Sequence, residues 1–184
     1  MLQENHKIAI YLEGHFSTDY GKMGIGVLRY LSNTIVAVID SKNNGKNTNE
    51  FNSIERSVPI VDNLDAAILN GAEVLILGIA PSGGKIPEAW FKVIESAISK
   101  NLSIINGLHD TLLLKYKNSL QNDQWIWDVR VPQFIPQIAS GKAAKLNNKR
   151  ILCVGTDMAV GKMTTSLEMY KWAIEKKINS SFIA

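Results

Sequence analysis

The stretch ILCVGTDMAVGKMTT, residues 151–165, decides how the C-terminal part of the chain is read. An apolar run, a glycine-containing turn, Gly161-Lys162 and a helix-like pattern follow one another, which is the order of a phosphate-binding loop. Such loops work through geometry. Glycines let the backbone curl until successive N–H groups converge on phosphate oxygens. The next helix adds its positive N-terminus, and the lysine adds a point charge. Downstream, Met163, Leu167, Tyr170, Ile174 and Ile178 recur at helical spacing and form one apolar face. The pattern predicts a strand over 150–155, a helix after the loop, and the start of another strand in SSFIA at 180–184. The bland alternative is a strand-to-helix turn that happens to contain Gly-Lys.

Two departures from the usual loop matter. The usual spacing is Gly, four residues, Gly-Lys-Ser/Thr, whereas Gly155 and Gly161 enclose one residue more. Met163 stands where a magnesium-binding hydroxyl belongs, and Thr164 is turned by about 100° around the helix. The loop therefore reads as one that grips a pyrophosphate more readily than it cleaves one.

Upstream, strand-like and helix-like runs alternate. Strands are expected over 7–13, 34–40, 73–79, 102–105 and 125–130, and helices over 19–32, 62–72 and 86–100. In the last helix Trp90, Val93, Ile94, Ala97 and Ile98 share one face, and Pro87 suits its first turn. Strand–helix–strand repetition implies right-handed crossovers and a parallel sheet. Residues 136–149 are polar and aperiodic, as a linker is. The fold class is thus α/β: a Rossmann-like parallel-sheet domain over 1–135, a linker over 136–149, and the start of a P-loop NTPase-like α/β domain over 150–184. A unit of about 35 residues rarely folds alone, so the expectation is an N-terminal fragment, inactive by itself. The alternative is that the last strand–helix–strand piece docks on the N-terminal sheet and completes the chain.

Composition narrows the class. The chain has 184 residues, 46% hydrophobic and 20% charged, with a net charge of +3, as expected of a soluble globular protein. No Lys/Arg run calls for nucleic acid, and no apolar stretch approaches the length of a membrane span. The N-terminus lacks a signal-peptide core, so a cytoplasmic location is expected. The single Cys153 permits no internal disulfide and no CxxC metal site, and is expected to be a buried, inert thiol. Trp90, Trp125, Trp127 and Trp172 are expected in the core.

Several residues at strand ends are candidates for a site. Asp40 closes the second strand, where an acid binds ribose in dinucleotide folds. However, Gly14, Gly21, Gly24 and Gly26 do not spell the fingerprint, so a loop cap is the favoured reading. Gly83 and Gly84 follow a strand at the edge where open sheets bind ligands, and a structural turn is the equal alternative. His109 and Asp110, with Asp128 and Arg130, are candidates for a polar site facing the P-loop domain. His6 and His15 lack ligand spacing, and no metal is expected.

GTD-x-x-VGK at 155–162 is similar to the loop of dethiobiotin synthetases, which use ATP but have Thr directly after the Lys. The longer string GTDMAVGKMTTSLEM resembles more closely the D-glutamate N-acetyltransferase family, once described as a domain of unknown function. The resemblance extends through YGKMGIGVLRY (20–30), VAVIDS (36–41), PIV (59–61), LILGIAPSGGKIPEAW (75–90), INGLHDTL (105–112) and WDVRVP (127–132). It implies a Rossmann-like domain followed by a P-loop domain, with chains longer than this one. The implied activity is transfer of an acetyl group from acetyl-CoA to the nitrogen of D-glutamate or a similar amino acid. On that reading Gly155, Thr156, Asp157, Val160, Gly161, Lys162, Thr164 and Thr165 form the cradle for the CoA phosphates. The general base stays open, with His109 and Asp157 as candidates, and a homo-oligomer is an open expectation. Two other readings remain: an ATP- and magnesium-dependent ligase or kinase, against which Met163 counts, and a non-catalytic module that binds nucleotide or CoA.

Overall fold

The apolar runs of the N-terminal region pair into one sheet. Its strands are β1 (Ile8–Tyr11), β2 (Ile35–Ile39), β3 (Ile60–Val61), β4 (Val74–Leu77), β5 (Ser103–Asn106) and β6 (Ile126–Asp128). They run parallel in the order β3-β2-β1-β4-β5-β6. The register sets Ile10 between Val38 and Ile76, and Tyr11 between Ile39 and Leu77. Every residue of β1, β4 and β5 is buried. This explains their continuous apolar character, because a parallel sheet is covered on both faces. The connecting helices are α1 (Lys22–Tyr30), α2 (Leu64–Leu69), α3 (Phe91–Ser99) and α4 (Leu112–Tyr116). The computed structural model describes residues 1–51, 54–132, 134–135, 138–157 and 160–183. The chain divides into two compact units, Met1–Phe134 and Ile135–Ala184.

The helix expected over 86–100 is α3 preceded by a 3₁₀ turn at Glu88–Trp90. Pro87 sits just before it in extended backbone. Its expected face is the buried one: Trp90, Ile94, Ala97 and Ile98 all join the core, and Trp90 meets Tyr11 edge-on at 5.5 Å. Trp125 and Trp127 are partly buried against that core. Two elements escape the periodicity argument. β3 has only two residues and α4 only five, too few to show a period.

Position in this order determines what each loop does. The chain leaves β1 toward β2 on one side and returns at β4 on the other, so the loops after β1 and β4 flank the reversal of strand order. Ligands of open α/β sheets bind at that carboxyl edge. There the first turn of α1 presses on the β4 loop: the Gly24 amide donates to the Gly78 carbonyl at 2.8 Å. A Cβ on Gly78 would lie 3.0 Å from the Gly24 Cα and 2.7 Å from an Ile10 methyl. Only glycine permits this approach.

In the second unit the helix α5 spans Lys162–Glu175, a length of about 21 Å at 1.5 Å per residue. Two expected strands are corrected. Among the described residues, neither 150–155 nor 180–183 pairs with another strand, and a strand is defined by its ladder of hydrogen bonds. Ile151, Leu152 and Val154 are accordingly exposed. Phe182 meets the Tyr170 ring at 6.2 Å instead, and Ala184 lies outside the described residues. The α5 apolar face is likewise open, with Met163 and Ile174 at least half exposed. Trp172, expected in a core, is 55% exposed, and Cys153 is half-buried rather than buried. No residue of α5 is buried, as follows from a unit too small to surround a helix. Among the described residues no helix is long and apolar enough to cross a membrane.

Candidate functional site

The loop between residue 155 and α5 closes on itself. Gly161, the residue before the helix, takes a left-handed conformation at φ 92°, which glycine adopts without steric cost. That bend turns the chain into α5, and the Lys162 side chain folds back across the loop. Its ammonium donates to the Asp157 carbonyl at 2.5 Å. Gly155 lies beneath: a Cβ there would stand 2.7 Å from a Val160 methyl and 3.2 Å from the Lys162 stem. The sequence therefore needs glycine at 155 for closure and at 161 for the turn. Thr165 donates its hydroxyl to the Gly161 carbonyl at 3.0 Å, and Ser166 donates to that of Lys162. Thr164 is exposed on the first turn, and Met163 is 54% exposed. A glycine-bent loop on a helix N-terminus with an inward lysine offers donors and positive charge, which is what a phosphate anion requires. A thioether beside that lysine supplies no hard oxygen ligand for magnesium. Met158 and Ala159 lie outside the described residues.

In the N-terminal unit three loops are laced together at the carboxyl edge. The Ala80 amide donates to the Tyr20 carbonyl at 2.8 Å, joining the β4 loop to the β1 loop. The His109 amide donates to the Gly84 carbonyl at 2.8 Å, and the Ile86 amide to the Asp110 carboxylate at 2.6 Å. Those two bonds join the β4 and β5 loops. Gly84 has φ +65°, and the space a Cβ would fill is taken by the His109 ring, 2.8 Å away. Gly84 is thus packed onto His109, while Gly83 faces open space.

The acids of this edge are committed to scaffolding. Asp40, fully buried, accepts from the Gly14 amide at 2.9 Å, from the Lys42 amide and from the Asn43 side chain. It caps its own loop, and its burial keeps it out of reach of a ribose. Asp128, 6% exposed, accepts from the Asn106 side chain at 2.8 Å and from the Leu112 and Leu113 amides at 3.0 and 2.9 Å. It caps α4 and is held by Asn106, while Arg130 is exposed in the chain beyond β6. Tyr11, under the loops, is pushed up to about 12 by burial and, secondarily, by the Glu13 charge. Burial and a hydrogen bond to Glu95 push Tyr116 still further up. Both phenols stay neutral at physiological pH.

The sequence reading passed over Ser82, Lys85 and Tyr20, and weighed His15 only as a metal ligand. Ser82 and Lys85 flank the two glycines and are exposed. His15 lies edge-on to Tyr20 with ring centroids 5.5 Å apart, and one of its ring nitrogens is 3.1 Å from the Thr18 hydroxyl. Their signal was position just after a strand, which holds no spacing rule. Among the described residues no cluster of His, Cys, Asp and Glu is arranged to hold a metal ion.

Comparison with known proteins agrees with both units. Residues 41–132 match the family model described as "Domain of unknown function (DUF1611_N) Rossmann-like domain". Residues 137–184 match "Domain of unknown function (DUF1611_C) P-loop domain". A protein named D-glutamate N-acetyltransferase from Pseudoalteromonas sp is 38% identical over 117 residues, covering 62% of this chain and 35% of that protein. One of the same name from Tritonibacter scottomollicae is 38% identical over 126 residues, 66% of this chain and 37% of its own length. The crystal structure of a DUF1611 family protein from Anabaena variabilis superposes with a TM-score of 0.86 at 41% identity, over 94% of this chain and 51% of that one. The chain thus spans little more than a third of those two relatives and about half of that structure. With its all-parallel Rossmann-like sheet followed by a P-loop segment, the chain belongs to the DUF1611 family.

Proposed function

We propose that the protein is an acetyl-CoA-dependent N-acetyltransferase acting on the amino group of D-glutamate or a similar amino acid, with the 155–165 loop holding the CoA phosphates. The observation that carries this reading is the closed loop itself, with Lys162 drawn across it and Met163 beside it. It is a phosphate cradle without the hydroxyl that magnesium-dependent hydrolysis normally requires. The names of the two 38%-identical relatives supply the reaction class.

In that reaction the acceptor's neutral amine attacks the thioester carbonyl. The new C–N bond forms, the C–S bond breaks, and the amine's proton must leave through a base while the thiolate departs. His109 and Asp157 are the candidate bases. The ring of His109 is exposed and is fixed by its fit against Gly84. The same cradle also suits ATP, and the exposed thioether of Met163 is the observation that disfavours the ligase or kinase alternative.

The test is an assay of the complete gene product with acetyl-CoA and D-glutamate, following thiol release and the mass of the acetylated product. Replacing Lys162 by Ala removes one charged phosphate contact, so CoA binding is expected to weaken at least about tenfold. Unchanged CoA affinity in Lys162→Ala sinks the cradle assignment. Magnesium-dependent formation of ADP without acetyl transfer replaces the whole reading with the ATP-dependent one.

A further inference from the structure

We propose that the carboxyl edge of the N-terminal unit's sheet carries a binding site for a small dicarboxylate, held by Lys85 and the His109 ring beside the Ser82–Gly84 turn. The site lies where strand order reverses, at the only edge of such a sheet toward which the loops after β1, β4 and β5 all run. Those loops are bonded to one another at Tyr20–Ala80, Gly84–His109 and Ile86–Asp110, so their rim is preformed.

Donor availability selects the ligand. Most carboxylates at this edge already have donors: Glu13 has Ser41, Asp19 has Lys22, Asp40 has Gly14, Asp110 has Ile86 and Asp128 has α4, with Glu88 in the turn before α3 the exception. The opposite is true of the cationic and donor groups. Among the described residues, the Lys85 ammonium, the Ser82 hydroxyl and the His109 ring have no hydrogen-bond or ion-pair partner. A rim whose acids mostly face its own backbone amides while its donors stay unengaged favours a ligand that accepts hydrogen bonds. Space agrees: a Cβ built on Gly83 meets nothing within 4 Å, so the backbone of the turn is open to close approach. A ligand with two carboxylates meets Lys85 with one and the imidazole and hydroxyl donors with the other.

The choice of D-glutamate as the ligand rests on the acetyltransferase reading, whereas the site rests on the rim alone. Calorimetry on the whole protein, without acetyl-CoA, separates the two, using D-glutamate, L-glutamate and glutarate as titrants. Lys85→Ala and His109→Gln are each expected to weaken D-glutamate binding about tenfold, the loss of one charged or charge-assisted contact. Lys162→Ala is expected to leave it unchanged. Both rim side chains are exposed, so the variants should keep their melting temperature. Binding of D-glutamate that ignores both rim substitutions overturns the site and leaves the acetyltransferase reading standing. Rim-dependent binding of L-glutamate or glutarate with none of D-glutamate keeps the site and removes its proposed ligand. No binding by any of the three overturns the proposal.

Discussion

Asp128→Ala separates two roles for a residue that reads as part of a polar site. In the structure its carboxylate accepts the Asn106 side-chain amide and the Leu112 and Leu113 backbone amides, at 2.8 to 3.0 Å, and it is 6% exposed. Alanine removes a helix cap, which costs about 1–2 kcal/mol. It also leaves buried donors without acceptors, at about 1–3 kcal/mol each where water cannot replace the oxygen. Allowing for partial hydration of the first turn of α4, the expected loss is about 3–4 kcal/mol. In a unit of this size that is a fall of about 10–15 °C in melting temperature. Asp128→Asn keeps one acceptor but turns an NH₂ toward donors, so it should fall between alanine and the native protein. Differential scanning calorimetry on the whole protein measures both. A melting temperature within about 2 °C of the native value for Asp128→Ala, with ligand binding lost, would refute the scaffolding argument and return Asp128 to the site.

Three further outcomes follow from the same geometry. Gly78→Ala places a methyl 2.7 Å from Ile10 and 3.0 Å from the Gly24 backbone. It should lower stability by about 1–3 kcal/mol, read as a lower denaturant midpoint at unchanged slope. Tyr11, raised from 10.0 to about 12, binds its proton more tightly in the folded than in the unfolded chain. Its contribution is complete below pH 10 and is lost as pH rises from 10 through 12, so Tyr11→Phe should flatten that alkaline limb. An unchanged slope between those pH values would assign the decline to other groups. Gly155→Ala drives a methyl into Val160 and the Lys162 stem. It should weaken CoA binding at least about tenfold while the cooperative melt of the N-terminal unit stays in place.

How much of this was legible in the sequence depends on how many residues carried the signal. The long buried strands and α3 were readable because several consecutive positions repeat one environment; Trp90, Ile94, Ala97 and Ile98 are buried on the one face that their spacing marks. β3 and α4 were not, since their two and five residues hold no period and exist through pairing with β2 and capping by Asp128. The loop at 155–162 was legible as a motif, because its glycines answer to local backbone demands. The strand before it was legible only as an apolar run. Pairing is a tertiary fact, and Ile151, Leu152 and Val154 find no ladder partner among the described residues. The rim at Lys85 and His109 was half legible. The glycines pointed to an edge, but the fit of an imidazole against Gly84 depends on two loops 25 residues apart meeting.

Asp40 shows why a strand-end acid alone cannot assign a ligand. In a dinucleotide fold that acid stays available for ribose hydroxyls because the glycine loop after the first strand faces the pyrophosphate. In this chain the Gly14 amide turns instead to Asp40, and Lys42 and Asn43 take up further acceptor capacity. Freeing the acid for a sugar would leave the Gly14 amide unsatisfied and undo the 3₁₀ turn at Ser41–Asn43 that Asp40 caps. Asp40 is also fully buried, so a sugar could reach its carboxylate only by opening that turn. The β1–β2 corner therefore works as a brace, which leaves the open donors on the other side of β1, at the β4 and β5 loops. A substitution separates the two corners. Asp40→Asn should destabilise the N-terminal unit, because one accepting oxygen becomes a donor facing the Gly14 or Lys42 amide, yet leave rim-dependent dicarboxylate binding intact at temperatures where the unit stays folded. Loss of that binding with no change in melting temperature would mean that the β1–β2 corner contacts the ligand after all.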